Sequence, residues 1–106
     1  MSGTYVTDVT HYLDKAGELA NMPGPTRKLA SFLILLIDET TQAMPADDYD
    51  THIRCRKATC TGSIRTSLAS VDDEISWYCP NCGHHGVIRN WQGTKWNQAR
   101  RNAELQ

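Results

Sequence analysis

Ile75-Ser76-Trp77-Tyr78-Cys79-Pro80-Asn81-Cys82-Gly83 is the stretch on which the fold turns. Ile75, Trp77 and Cys79 alternate with Ser76 and Tyr78, as on a strand with one buried face. The strand runs straight into a Cys-x2-Cys turn, in which Pro80 fixes φ and Gly83 permits the positive φ that lets backbone amides close on sulfur. A wider pair, Cys55-x4-Cys60, lies upstream, and eighteen residues separate Cys60 from Cys79. That insert accommodates two strands of about six residues and a turn. The first strand is Ser63–Leu68, with Ile64, Thr66 and Leu68 on one side and Arg65 on the other, and Ser70-Val71-Asp72-Asp73-Glu74 makes the turn. Two turns brought together by a β-hairpin can present four thiolates to one tetrahedral ion at about 2.3 Å from each sulfur. Cys55, Cys60, Cys79 and Cys82 are therefore the expected ligands of one structural zinc ion, with an iron–sulfur cluster as the other chemistry that thiolates suit.

Competing uses of the cysteines fit less well. The opening MSGTYVTDVT has no basic stretch followed by an apolar one, so a cytoplasmic protein with reduced thiols is expected, without disulfides. A redox Cys-x-x-Cys would open a helix, whereas Cys79 follows a strand. A catalytic zinc keeps one position open for water, and four cysteines leave none. His84 and His85 then sit beside the site rather than in it, Asp72-Asp73-Glu74 is a solvated turn, and no enzyme is expected.

The 106 residues suffice for one compact domain, and 40% apolar with 22% charged residues is a globular composition. Widened to Leu29–Ile37, the longest apolar run is nine residues, against about 20 for a membrane span. Ahead of the cysteines, Val9, Tyr12, Leu13, Ala16, Leu19 and Ala20 recur at helical steps, with Thr7 or Asp8 as N-cap. Met22-Pro23-Gly24-Pro25 stops that helix, and a second runs from about Thr26 to Met44, since proline suits a first turn. Pro45-Ala46-Asp47-Asp48-Tyr49-Asp50 is an acidic linker, and Val87–Trp91 is a third strand closed by Gln92-Gly93-Thr94. The expected fold class is α+β: an N-terminal antiparallel two-helix hairpin packed on a C-terminal three-stranded zinc ribbon. Residues 1–50 form hairpin and acidic linker, and residues 51–106 form the ribbon with a C-terminal tail, as one domain. A ribbon of about 45 residues is lean enough to need a metal staple.

His52-Ile53-Arg54-Cys55, the Ile75–Gly83 stretch and Gly86-Val87-Ile88-Arg89-Asn90-Trp91-Gln92-Gly93-Thr94-Lys95-Trp96 together resemble a family of short bacterial zinc-ribbon proteins. Pro23-Gly24-Pro25 and Arg27-Lys28-Leu29-Ala30 are similar to that family's helical lead-in. The resemblance implies a ribbon and a bacterial cytosolic origin, and it transfers no activity.

Charge is uneven along the chain. Residues 1–50 carry eight acids against three bases, and residues 51–106 carry eight bases against four acids. Four thiolates around a divalent ion remove about two units from that basic surplus. The expected role is a non-enzymatic interaction module, without a small-molecule substrate. Its partner is an unknown protein, or a second copy docked through the hairpin's surplus apolar face around Ile34 and Leu35. The alternative is nucleic-acid binding through Arg54, Arg56, Lys57, Arg65, Arg89, Trp91, Lys95 and Trp96, cations interleaved with aromatics that stack bases. Trp77 and Trp91 also suit a small core.

Overall fold

The computed structural model describes residues 4–57 and 59–98, so the expected C-terminal tail falls largely outside the described residues. Strand β1 spans Thr4–Asp8, a 3₁₀ turn spans Val9–Tyr12, helix α1 spans Gly24–Gln42, and strands β2 to β5 span Ala46–Arg54, Ser63–Leu68, Ile75–Tyr78 and His85–Arg89. The strands form one mixed sheet in the order β1-β5-β4-β3-β2, with β1 parallel to β5 and the other pairs antiparallel.

The core lies between α1 and one face of this sheet. The period-2 pattern buries Ile64, Thr66 and Leu68 on β3, Ile75 and Trp77 on β4, and Ile88 on β5. The helical period buries Phe32, Leu33, Leu36, Ile37 and Thr40 on the facing side of α1. Phe32 meets Trp77 edge to face, with ring centroids 5.5 Å apart. Trp91, just past β5, is wholly buried, and its Nε1–H donates to the Asp73 carbonyl at 2.9 Å. Each large apolar side chain in this layer contributes about 1.5–3 kcal/mol of burial before the cost of ordering it. Among the described residues no helix is long and apolar enough to cross a membrane.

The two-helix hairpin does not form; the described residues have one α-helix and a five-stranded sheet in place of a three-stranded ribbon. Thr4–Asp8 pairs with the free edge of β5, where Val6 lies opposite Val87. A run with threonine and valine suits a strand once an edge is open to it. Asp8 then caps only a 3₁₀ turn, accepting from Thr10 N at 3.0 Å. The helical spacing further on is cancelled by local turn chemistry. The Asp14 carboxylate accepts from Ala16 N at 2.9 Å and Glu18 N at 3.0 Å, and Gly17 takes φ +80°. An aspartate that satisfies its own neighbours' amides competes with the helix ladder. A homodimer through a helical hairpin therefore has no hairpin to use.

The residues expected as a linker are the first half of β2. Ala46 pairs with Leu68 and Asp50 with Arg65, across irregularities where Asp48 and His52 adopt positive φ. An edge strand tolerates such acids and bulges because one side of it needs no partner. Thr51 Oγ1 donates to the Ile64 carbonyl at 2.7 Å and Ser67 Oγ accepts from Asp48 N at 3.1 Å, so side chains repair the ladder where it breaks. The second helix forms where expected, shifted to Gly24–Gln42, and its apolar surplus is used internally. Leu35, at 53% exposure, is the large apolar side chain of α1 that faces solvent.

Candidate metal centre

Two knuckles meet at one end of the sheet. The first joins the end of β2 to β3, and its base is closed by Cys55 N donating to the Gly62 carbonyl at 2.9 Å. The second joins β4 to β5, where Cys79 N donates to the His84 carbonyl at 2.7 Å and Gly83 N to the Cys79 carbonyl at 2.9 Å. Gly83 has φ +81°, the left-handed conformation that closes this turn. Because β3 and β4 are neighbours, their hairpin carries the two knuckles to the same place.

The sulfurs of Cys55, Cys60, Cys79 and Cys82 all lie within 4.8 Å of one another and can hold a metal ion. Cys55 Sγ is 3.6 Å from Cys82 Sγ, and Cys60 Sγ is 3.5 Å from Cys79 Sγ. A thiolate tetrahedron with bonds of about 2.3 Å has edges of about 3.8 Å, so the cluster has the size of a single four-coordinate site. No pair approaches the bonding distance of a disulfide, about 2.05 Å, and all four cysteines are free.

The chain matches no family model, no curated protein and no solved structure.

Backbone amides point at the sulfurs. Gly62 N donates to Cys60 Sγ at 3.4 Å. Burial raises the Cys79 thiol, but the amides of Cys82 and Asn81 outweigh it and bring its pKa down to about 7. Cys55 has the opposite balance: burial dominates and pushes its thiol up to about 12. Four thiolates this close repel one another, so full ionisation calls for a cation among them. His84 Nδ1 lies 3.5 Å from Cys82 Sγ, placing the imidazole beside the cluster.

Gly62 is the residue of this centre that composition and spacing did not single out. A Cβ there would stand 2.9 Å from Cys79 Sγ and 3.0 Å from Asn81 Cβ. The backbone of the first knuckle thus packs directly against a sulfur of the second. The available signal was a glycine two residues past a cysteine, in Cys60-Thr61-Gly62, which resembles the glycine that follows Cys82.

The eight residues expected to contact nucleic acid or a partner are dispersed. Arg54, Arg56 and Lys57 stand at the first knuckle; Arg54 Nε reaches the Cys60 carbonyl at 3.4 Å, and the Arg56 guanidinium lies 5.9 Å from the Phe32 ring centroid. Arg65 is on the other face of the sheet, held by Asp48 at 2.8 Å. Arg89 pairs with Glu74 at 2.6 Å, and Lys95 pairs with Glu18 while lying 5.2 Å from the Trp96 ring centroid. Trp91 is core and Trp96 is half-buried against it. Asp47, Asp72, Asp73 and Glu74 line one groove at the other end of β3 and β4, so the charge imbalance read along the chain becomes, in part, one between ends of the sheet.

Proposed function

We propose that the protein is a non-enzymatic interaction module built around one structural zinc ion held by Cys55, Cys60, Cys79 and Cys82. The observation that carries it is the closeness of the four sulfurs, all within 4.8 Å. Four thiolates in a tetrahedron select zinc or iron. A multinuclear iron–sulfur cluster places bridging sulfides and several ions between its cysteines, and so needs a wider cage than one ion does. With four protein sulfurs bound, the ion has no open position at which water could be activated, so its role is to fasten the β3–β4 hairpin to β2 and β5. A reducing bacterial cytosol suits four thiols kept for a metal, and the resemblance to bacterial zinc-ribbon proteins agrees with it.

Metal analysis together with X-ray absorption on purified protein tests this reading. One zinc per chain with four sulfur neighbours is expected. Substoichiometric metal, or a nitrogen or oxygen ligand in place of a sulfur, overturns it.

A second reading, binding to nucleic acid, is favoured by the cations at the metal end. Arg56 and Lys57 make no ion pair with a described residue and line one cavity with Leu29, which follows Arg27 and Lys28 at the start of α1. Phosphate contacts from these four would make affinity fall as salt rises. Titration with single- and double-stranded oligonucleotides at low salt decides it, since absence of binding removes this reading and leaves the zinc centre untouched.

A further inference from the structure

A cavity of about 350 Å³ opens between the start of α1 and the sheet, beside the first knuckle. Its walls are Leu29, Phe32 and Leu33 from the helix and Ile64 and Trp77 from the sheet. It is not the space between the sulfurs: of the four cysteines only Cys55 touches it. Its volume is about that of the smallest ligand pockets, and its apolar walls are buried except for the half-buried Leu29.

The rim has one sign of charge. Arg56 and Lys57 both line the cavity, and neither has an acidic partner among the described residues. Arg56 is held at the mouth by the Phe32 ring, 5.9 Å from its guanidinium carbon, so the cation stands over the apolar wall. Thr7 and His84 add polar points to the lining. An apolar chamber with a cationic mouth complements a molecule with an apolar body and one anionic end.

We infer that this cavity binds a small apolar-bodied carboxylate, its hydrocarbon or aryl part between Phe32, Leu33 and Trp77 and its carboxylate at Arg56 and Lys57. The chamber supplies apolar burial, and the guanidinium supplies charge-assisted hydrogen bonds to the carboxylate. The inference goes beyond the structural zinc, because it rests on the cavity and its rim and requires no chemistry at the ion.

The test uses the metal-loaded full chain and decanoate below its micelle concentration, followed by amide NMR shifts, with decan-1-ol as the neutral control. Saturable one-to-one binding is expected, with shifts at Phe32, Leu33 and residues 55–57, and weaker binding by the alcohol. The double variant Arg56→Gln/Lys57→Gln should weaken decanoate at least about tenfold and leave decan-1-ol unchanged. Leu29→Trp, at a half-buried position on the cavity wall, should block both ligands while zinc content and melting temperature hold. Absence of saturable decanoate binding overturns the inference, as does binding that neither variant changes or that the alcohol matches. Zinc measured on the same samples separates this outcome from failure of the metal centre.

Discussion

Cys55 Sγ lies 3.6 Å from Cys82 Sγ, a contact between a residue at the end of β2 and one in the β4–β5 turn. The matching contact, Cys60 to Cys79 at 3.5 Å, also joins one knuckle to the other. An ion at their centre would cross-link two separate turns and tie the β2 edge to the middle of the sheet.

Removing the metal should loosen that end first. The far half of the core, with Leu36, Ile37, Leu68, Ile75 and Trp91, has burial of its own. Chelation is expected to strip amide-exchange protection from residues 55–62 and 79–84 before β3 and α1 lose it. A loss of at least about 3 kcal/mol corresponds to roughly 12–24 °C in melting temperature for a domain near 100 residues. Calorimetry and hydrogen exchange with and without chelator check this; equal protection in both samples would contradict it.

Gly62→Ala should damage the centre without touching a ligand. Its methyl group would fall 2.9 Å from Cys79 Sγ, a sulfur of the candidate metal centre. Overpacking of this kind costs about 1–3 kcal/mol. The variant is expected to bind zinc at least about tenfold more weakly in competition with a chromogenic chelator, whereas Gly24→Ala, with open space at its Cβ, should bind as the parent does.

Thr40 Oγ1 donates to Thr66 Oγ1 at 2.8 Å, both fully buried between α1 and β3. Either single change to valine strands the other hydroxyl, and each should cost about 1–3 kcal/mol. The double change replaces the pair by apolar groups of similar shape and should come close to the parent. Chemical denaturation of the four proteins reads the coupling directly.

Asp48 supplies a pH dependence. The Tyr78 hydroxyl, first, and then Arg65 hold its carboxyl below the ordinary value of 3.8. A depressed carboxyl stabilises the fold fully above its unfolded value and loses that contribution as pH falls through the folded one. The acid limb of the stability curve, below about pH 4, should therefore flatten in Asp48→Asn. Tyr78 is raised above 10 by the same bond, so its share is present at neutral pH and fades in alkali. Both effects are small at an exposed site and should shrink with added salt.

The second half of the chain was legible because its signals are local. Alternation placed Ile64, Thr66 and Leu68 on one side of their strand and Ile75 with Trp77 on one side of the next, and all five are buried on the same face of the sheet. The first half misled for a physical reason. The spacing of Val9, Tyr12, Leu13 and Ala16 satisfies a helix, but Asp14 and Gly17 close a turn inside it, and Thr4–Asp8 finds a partner eighty residues away on β5. Parallel pairing at that distance leaves no mark in a local pattern. Pro45–Asp50 reads as a breaker because edge strands tolerate residues that central ones do not.

By itself the sequence determined the four sulfurs, the hairpin that carries two of them and the helix with a surplus of apolar side chains, since each depends on neighbours a few positions apart. Only the tertiary structure decided that the surplus is spent on the protein's own sheet, that β1 closes that sheet from the other side, that Gly62 must lack a side chain, and that the packing leaves a chamber under Arg56 and Lys57. Those outcomes depend on the close packing of segments remote in sequence, where a single methyl group or a free strand edge changes the result.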